Sequence, residues 1–146
     1  MGPLHPYGPL IDLKVMPSPQ RIAALKKAGL PYSPPVTIRR LLDTGASGLA
    51  LDEALIVQLG LGFHGRTHIH TPSTGPGFQS CDEYDVSVIL GESSTKPLSV
   101  TLPAIACDFS SQPFRALVGR EVLQHCRLVC DGPMNRFSLE FNEDSF

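Results

Sequence analysis

Asp43 is the residue of this chain best placed to do chemistry. Two large aliphatic residues, Leu41 and Leu42, run straight into it, and four small residues, Thr44-Gly45-Ala46-Ser47, follow. The aliphatic pair reads as the end of a buried strand. Gly45, with no side chain to clash, lets the backbone turn sharply beside the carboxylate. Thr44 and Ser47 carry hydroxyls that can hold a loop by bonding to backbone. The result is a carboxylate at the mouth of a rigid turn, fit to take or give a proton. Taken alone, Asp-Thr-Gly also describes an ordinary surface turn, so the rest of the chain has to decide. Other candidates are weaker. His68 and His70 alternate on one strand with His64 four residues before His68, and no carboxylate or cysteine joins them at ligand spacing, so no metal is expected. Ser47 and His125 lack the context of a nucleophile elbow. Lys26-Lys27 and Arg39-Arg40 read as solvated faces, too few for nucleic acid.

The elements that must position Asp43 are short and heavily punctuated. Residues 9–15 read as a first strand, ended by Pro17-Ser18-Pro19. Residues 20–28 read as a helix with Ser18 as N-cap, Pro19 at its first position, Gly29 as its stop, and Ile22 and Leu25 on the buried face. A proline-rich connector follows, then a strand over 36–42 leads into Asp43. Beyond the turn, residues 48–51 suggest a brief strand, and Asp52 caps a helix over 53–59 that stops at Gly60. Residues 61–69 form a strand with a glycine kink at its start. Residues 70–78 form a Pro- and Gly-rich turn between two extended arms. Residues 83–90 alternate clearly, with Tyr84, Val86, Val88 and Leu90 on one face. Residues 91–96 make a turn, and a strand over 98–107 is expected to be interrupted by Pro103. Residues 114–125 read as strand, glycine, helix. Residues 127–130 and 136–141 read as a terminal hairpin, with Asp131-Gly132-Pro133 opening its turn.

Composition sets the class. At 146 residues the chain is one domain in size and long enough to bury a core without staples. Charged residues make up 18% and the net charge is -2, so nothing calls for a polyanionic partner. Fourteen prolines and thirteen glycines suit many short strands better than long helices. No apolar run is long enough to span a bilayer. No signal peptide is visible at the N-terminus, which places the expected location in the cytoplasm. Cys81, Cys107, Cys126 and Cys130 form no Cys-x-x-Cys pair and sit among strand-like apolar neighbours, so reduced, buried thiols are expected.

Asp43-Thr44-Gly45-Ala46 after a hydrophobic strand resembles the signature of the aspartic peptidases. Further landmarks follow in order. Pro72-Ser73-Thr74-Gly75-Pro76-Gly77-Phe78 stands where a flap tip belongs, and Tyr84-Asp85 opens the next strand. Ala116-Leu117-Val118-Gly119-Arg120 looks like the hydrophobic-hydrophobic-Gly-Arg segment of retropepsin-like members. The closing hairpin is similar to that of the single-domain, DNA-damage-inducible type. The resemblance covers roughly residues 36 to 141 and implies a mostly β fold: a closed retropepsin-like, acid-protease barrel with short helices. Residues 36–146 would form that domain, with residues 1–35, a strand, a helix and a connector, packed on it. Leu117-Val118-Gly119 would pass beneath the Asp43 loop, and Gly119 is needed where two backbones approach closely.

The resemblance implies an aspartic endopeptidase without a cofactor. Its chemistry needs two carboxylates sharing a proton across one water. The chain carries a single Asp-Thr-Gly and is too short for a two-lobed enzyme. The second carboxylate would therefore come from a second copy, in a C2 homodimer. Asp43, Thr44 and Gly45 would be catalytic, with Thr44 locking the two loops together. Ala46, Ser47, Ser73, Thr74, Gly75, Phe78 and Val118 would bind a polypeptide substrate. Neither nucleic acid nor membrane is an expected partner. Cys130-Asp131-Gly132 lies in a hairpin turn and reads as structural. Departures from the family are clear. Ser47 stands where viral members often have an Asp that pairs with the Arg of Gly-Arg, so Arg120 needs another partner. Pro72 and Pro76 would stiffen the flap. A second reading stays open: the fold kept as a dimerising or peptide-binding module that no longer cleaves.

Overall fold

Strand alternation decides which side chains reach the interior. Along β3, Val36–Leu42, the even positions Ile38, Arg40 and Leu42 are buried, while Thr37 and Arg39 face solvent. The computed structural model describes residues 2–6, 8–69, 79–90 and 98–141. β3 lies antiparallel to β2, Gly8–Pro17, and parallel to β8, Ala116–Val118. β8 runs antiparallel to β4, Leu49–Asp52, which is parallel to β7, Leu98–Cys107. β7 pairs antiparallel with β6, Gln79–Leu90, and β6 returns antiparallel to β2 through Lys14↔Ile89 to Pro17↔Val86. That last pairing closes a six-strand barrel, which removes the open edges a flat sheet would carry. Leu13, Val15, Leu42, Leu49, Leu51, Val86, Val88, Ala116 and Val118 belong to its core. Each large aliphatic side chain so buried contributes about 1.5–3 kcal/mol.

The remaining strands extend this ring. β5, Gly62–Ile69, pairs with the first half of β6 and makes one arm of a long hairpin. β1, Gly2–His5, links β2 to β10, Arg136–Phe141, and β10 pairs with β9, Cys126–Asp131. β1 was not among the strands expected from the sequence. The expected break at Pro103 does not occur: Pro103 stands opposite Asp85 in an unbroken register. β7 takes its second partner, β4, only from Ala104 onward, so the missing N–H can fall on a side with no ladder.

The helices sit outside the barrel. α1, Pro19–Lys27, begins as expected: Ser18 is the N-cap and its hydroxyl accepts the Arg21 N–H at 3.1 Å. None of its residues is fully buried, and Ile22 and Leu25 are half covered. α1 touches the next helix through Arg21 Nε, which donates to the Gly60 carbonyl at 3.0 Å. α2, Glu53–Leu59, buries Leu55, Ile56 and Leu59 and ends at Gly60, whose φ of 62° is the left-handed stop. Asp52 occupies the N-cap of α2, but its side chain makes no cap bond. Its carboxylate instead accepts the Phe109 N–H at 3.1 Å and lies 3.6 Å from Arg115 Nε. The expectation of an Asp52 cap is corrected to a tie between β4 and the loop before β8. α3, Arg120–Leu123, is a single turn.

One expectation fails at a single residue. Arg39-Arg40 read as a solvated pair, yet Arg40 is 0% exposed and only Arg39 reaches water. The strand's period of two forces this, because Arg40 shares its face with Ile38 and Leu42. Among the described residues nothing bonds to the Arg40 guanidinium nitrogens. Burial pulls its pKa down to about 9.

Candidate active site

β3 delivers Asp43 to the end of the barrel, and β8 fixes its position. Leu42 pairs with Val118, and the Asp43 N–H donates to the Val118 carbonyl at 2.9 Å. The chain then folds over its own carboxylate. The Ala46 N–H reaches the Asp43 carbonyl at 3.2 Å, and the Gly45 N–H donates to Asp43 Oδ1 at 2.9 Å. A Cβ at Gly45 would stand 3.2 Å from that oxygen, so a small residue belongs there because the carboxylate folds back onto it. Oδ1 is thereby oriented. Among the described residues nothing bonds to Oδ2, which leaves acceptor capacity on a half-buried carboxylate.

The second half of the loop is tied to the segment that follows β8. The Arg120 N–H donates to the Ala46 carbonyl at 2.8 Å and the Glu121 N–H to the Ser47 carbonyl at 3.0 Å. The Arg120 guanidinium donates to the Thr44 carbonyl at 2.8 Å. Three loop carbonyls are thus held by two consecutive residues. The approach leaves no room for a side chain at Gly119, where a Cβ would lie 2.4 Å from the Gly48 carbonyl oxygen and 2.6 Å from that of Ala46. The brace expected from Leu117-Val118-Gly119 is present in these contacts. Ser47 offers Arg120 no carboxylate, and Arg120 takes the Thr44 backbone carbonyl. Among the described residues the loop is held by backbone and by Arg120, and not by the hydroxyls of Thr44 and Ser47.

Thr44, Gly45 and Ser47 are exposed and Ala46 is half-buried, so the turn presents itself to solvent beside the carboxylate. Val118 is buried in the core and meets the loop through its carbonyl. Ser73, Thr74, Gly75 and Phe78 lie outside the described residues. The arms that lead to them are cross-linked near their roots. His64 Nδ1 stands 2.8 Å from Asp85 Oδ1, at a bulge between Phe63 and Gly65, and Arg66 Nε stands 3.1 Å from Asp82 Oδ1. Asp131, in the terminal hairpin, accepts the Met134 N–H at 3.1 Å and closes its own turn.

Glu121 was not singled out from the sequence, although its place directly after Gly119-Arg120 marks it. Its carboxylate oxygen would be 3.4 Å from a Cβ at Gly48, so it flanks the end of the Asp43 loop. Burial, and then the charge of Glu83, push this carboxyl above the usual range. Among the described residues no group of three or more His, Cys, Asp or Glu is placed to hold a metal ion. All four cysteines are free thiols. Cys81, Cys107 and Cys126 are half-buried, while Cys130 is exposed, against the expectation of four buried thiols. Burial raises Cys126 to about 11. No helix among the described residues is long and apolar enough to cross a membrane.

Among solved structures, the chain is similar to a retropepsin-like aspartic protease from Rickettsia conorii. The TM-score is 0.53 at 16% identity, over 96% of this chain and 88% of that one. It is also similar to the retroviral protease-like domain of Ddi1 from Leishmania major, with a TM-score of 0.40 at 15% identity, over 75% of this chain and 89% of that one. No protein-family model and no curated protein matches the sequence. The chain therefore has the retropepsin-like fold: mostly β, a closed six-strand barrel with a few short helices. At this identity the likeness speaks for the fold and not for the chemistry.

Proposed function

We propose that the chain is an aspartic-type endopeptidase that works as a C2 homodimer, with Asp43 of each copy facing the other across the axis. The observation that carries this reading is the Asp43 turn itself. An oriented carboxylate with an open oxygen sits at the end of a retropepsin-like barrel, on a loop held at three carbonyls. A structural turn does not need an acidic group aimed outward from so firm a brace.

One carboxylate cannot both withdraw a proton from water and supply one to a carbonyl oxygen. Two close carboxylates can, because like charges at short range leave one protonated and one ionised. The ionised partner takes a proton from the bound water as that water attacks the peptide carbonyl carbon. The protonated partner gives its proton to the carbonyl oxygen. The tetrahedral adduct then collapses: one carboxyl of the pair gives its proton to the amine nitrogen, the C–N bond breaks, and a hydroxyl of the adduct gives its proton to the other carboxylate, leaving a carboxylic acid and the pair with one shared proton. No covalent intermediate and no cofactor takes part. The polypeptide would lie over Ala46 and Ser47.

The test is cleavage of a peptide library by the purified chain and by Asp43→Asn, with and without a statine-type transition-state mimic. Asn keeps the shape of Asp but cannot share a proton. Cleavage that the mimic blocks and the variant lacks supports the reading. Peptide binding by both proteins with cleavage by neither would favour a silent binding module instead.

A further inference from the structure

Two thiols stand on one cross-strand line at the root of the β5–β6 hairpin. β6 and β7 pair in antiparallel register from Leu90↔Leu98 to Glu83↔Ile105. Cys81 lies two residues past Glu83, and Cys107 two past Ile105. Side chains alternate along strands, so both thiols share the sheet face of Glu83 and Ile105 and continue the same line of partners. Past that last pair the strands part, Cys81 pairing with Thr67 of β5 and Cys107 with Asp52 of β4. A groove of about 380 Å³ opens there, lined by Cys81, Asp82 and Tyr84, by Ala106 of β7, and by Glu53 and Val57 of α2. Glu53 stands near both thiols. It lines the groove with Cys81, and its charge, after burial and Cys81 itself, helps hold the Cys107 thiol above its ordinary range. The peptidase chemistry uses neither cysteine.

We infer that Cys81 and Cys107 form a reversible disulfide that fastens β6 to β7 at the root of the hairpin. The last paired residues, Glu83 and Ile105, are directly opposed, which puts their Cα atoms about 4.5–5.5 Å apart; the thiols stand two residues beyond, where the strands need only close to the roughly 4.4–6.8 Å that a disulfide spans. Closing the bond draws together strands that part in the reduced protein. The other two thiols cannot form a bond with each other. Cys126 and Cys130 lie four residues apart on β9, about 13 Å along an extended strand.

The oxidant is a hydroperoxide such as hydrogen peroxide. Cys81 lines the groove, where a small peroxide can reach it, so Cys81 makes the first attack. Its sulfur bonds to a peroxide oxygen, the O–O bond breaks, and the hydroxide that leaves takes up the thiol proton as water. Cys81 is then a sulfenic acid. The sulfur of Cys107 attacks it, the S–O bond breaks, and the departing hydroxide takes the Cys107 proton as a second water. The two thiols together give two electrons and two protons to one peroxide.

The test needs no substrate, so it stands apart from the chemistry of Asp43. The full chain and a Cys130→Ser variant, which lacks the exposed competing thiol, are treated with hydrogen peroxide, blocked with N-ethylmaleimide and mapped without reduction. The expected product is a peptide linked through Cys81 and Cys107, reversed by dithiothreitol and missing from both Cys81→Ser and Cys107→Ser. Its formation should raise the melting temperature by several degrees, because the bond restrains the unfolded chain. Oxidation that stops at sulfinic acid on Cys81, or that links chains only through Cys130, overturns the inference. So does a Cys81–Cys107 link whose formation lowers the melting temperature, since the strands would then be rejecting the bond.

Discussion

Arg40 carries a charge into the barrel where no described residue bonds to it. Its neighbour Arg39 reaches water and lies 3.8 Å from Asp12, so two adjacent residues of one type have opposite fates. A sequence read by charge alone misses this, because only the phase of the strand distinguishes them. Arg40→Met keeps an unbranched chain of similar length and removes the charge. It should stabilise the protein at neutral pH, on the order of 1–4 kcal/mol, as replacement of buried charges by apolar residues does elsewhere. The pH dependence has a definite sign. A folded pKa of about 9 lies well below the ordinary arginine value that the unfolded chain keeps, so above pH 9 the unfolded chain binds more protons and stability rises with pH. Melting curves from neutral pH to alkaline conditions should show this rise in the wild type and its absence in Arg40→Met. Glu121 has the opposite history. Its folded carboxyl is raised, so its contribution is fully present in acid, below the unfolded range, and is lost as the pH rises through the folded value. Glu121→Gln should therefore change little in acid and raise the melting temperature slightly at neutral pH. Half exposure limits that gain to a few tenths of a kcal/mol. A gain in acid instead would mean that Glu83 and burial do not govern this group.

The segment from β8 through Gly119 into α3 is the element on which the Asp43 loop rests. Its role was legible because apolar-apolar-Gly-Arg in series after Asp-Thr-Gly leaves few ways to bring the two backbones together. What the sequence withheld was the identity of the contacts. Backbone carbonyls carry no sequence signal, so the Arg120 bond to Thr44 could not be read, only its need. Gly119→Ala places a methyl group 2.4 Å from the Gly48 oxygen, and neither backbone can yield without moving the loop. A loss of at least ~2 kcal/mol is expected, read as a lower denaturant midpoint with an unchanged slope. A variant with wild-type stability would mean that the loop does not rest on this strand. Asp52 shows the reverse error. Its position before a helix signalled a cap, but tertiary partners claimed the side chain: Phe109 N–H and Arg115. Asp52→Ala leaves that N–H unpaired and should cost ~1–3 kcal/mol. It should also open residues 108–115 to limited proteolysis while the helical circular dichroism signal holds. Fraying of α2 with an intact 108–115 loop would restore the cap.

At the scale of the molecule, the order of elements was legible and the closure was not. Residue alternation revealed β3 and the terminal hairpin nearly to their ends, and β6 from Glu83 onward but not its start at Gln79. The β2–β6 pairing joins residues about seventy apart, and no local pattern announces which strand will close a ring. The chemistry has the same character, since a lone Asp-Thr-Gly says where one carboxylate stands and not where its partner comes from. If the partner is Asp43 of a second copy, activity belongs to pairs and not to chains. Mixing experiments then have a fixed arithmetic. Let Asp43→Asn fold and pair as the wild type does, and let subunits exchange fully. A mixed pair holds one carboxylate and one amide, which cannot share a proton, so it should be inactive. With wild-type concentration constant, an equal amount of variant should cut cleavage to about half, and a ninefold excess to about one tenth. An equal amount of a Cys130→Ser protein, competent in Asp43, should raise it instead. Sedimentation run beside the assay reports whether pairs form and exchange. Cleavage that ignores the variant while mixed pairs are present would show that a single chain supplies all the acid and base, and would remove the shared carboxylate pair from the mechanism.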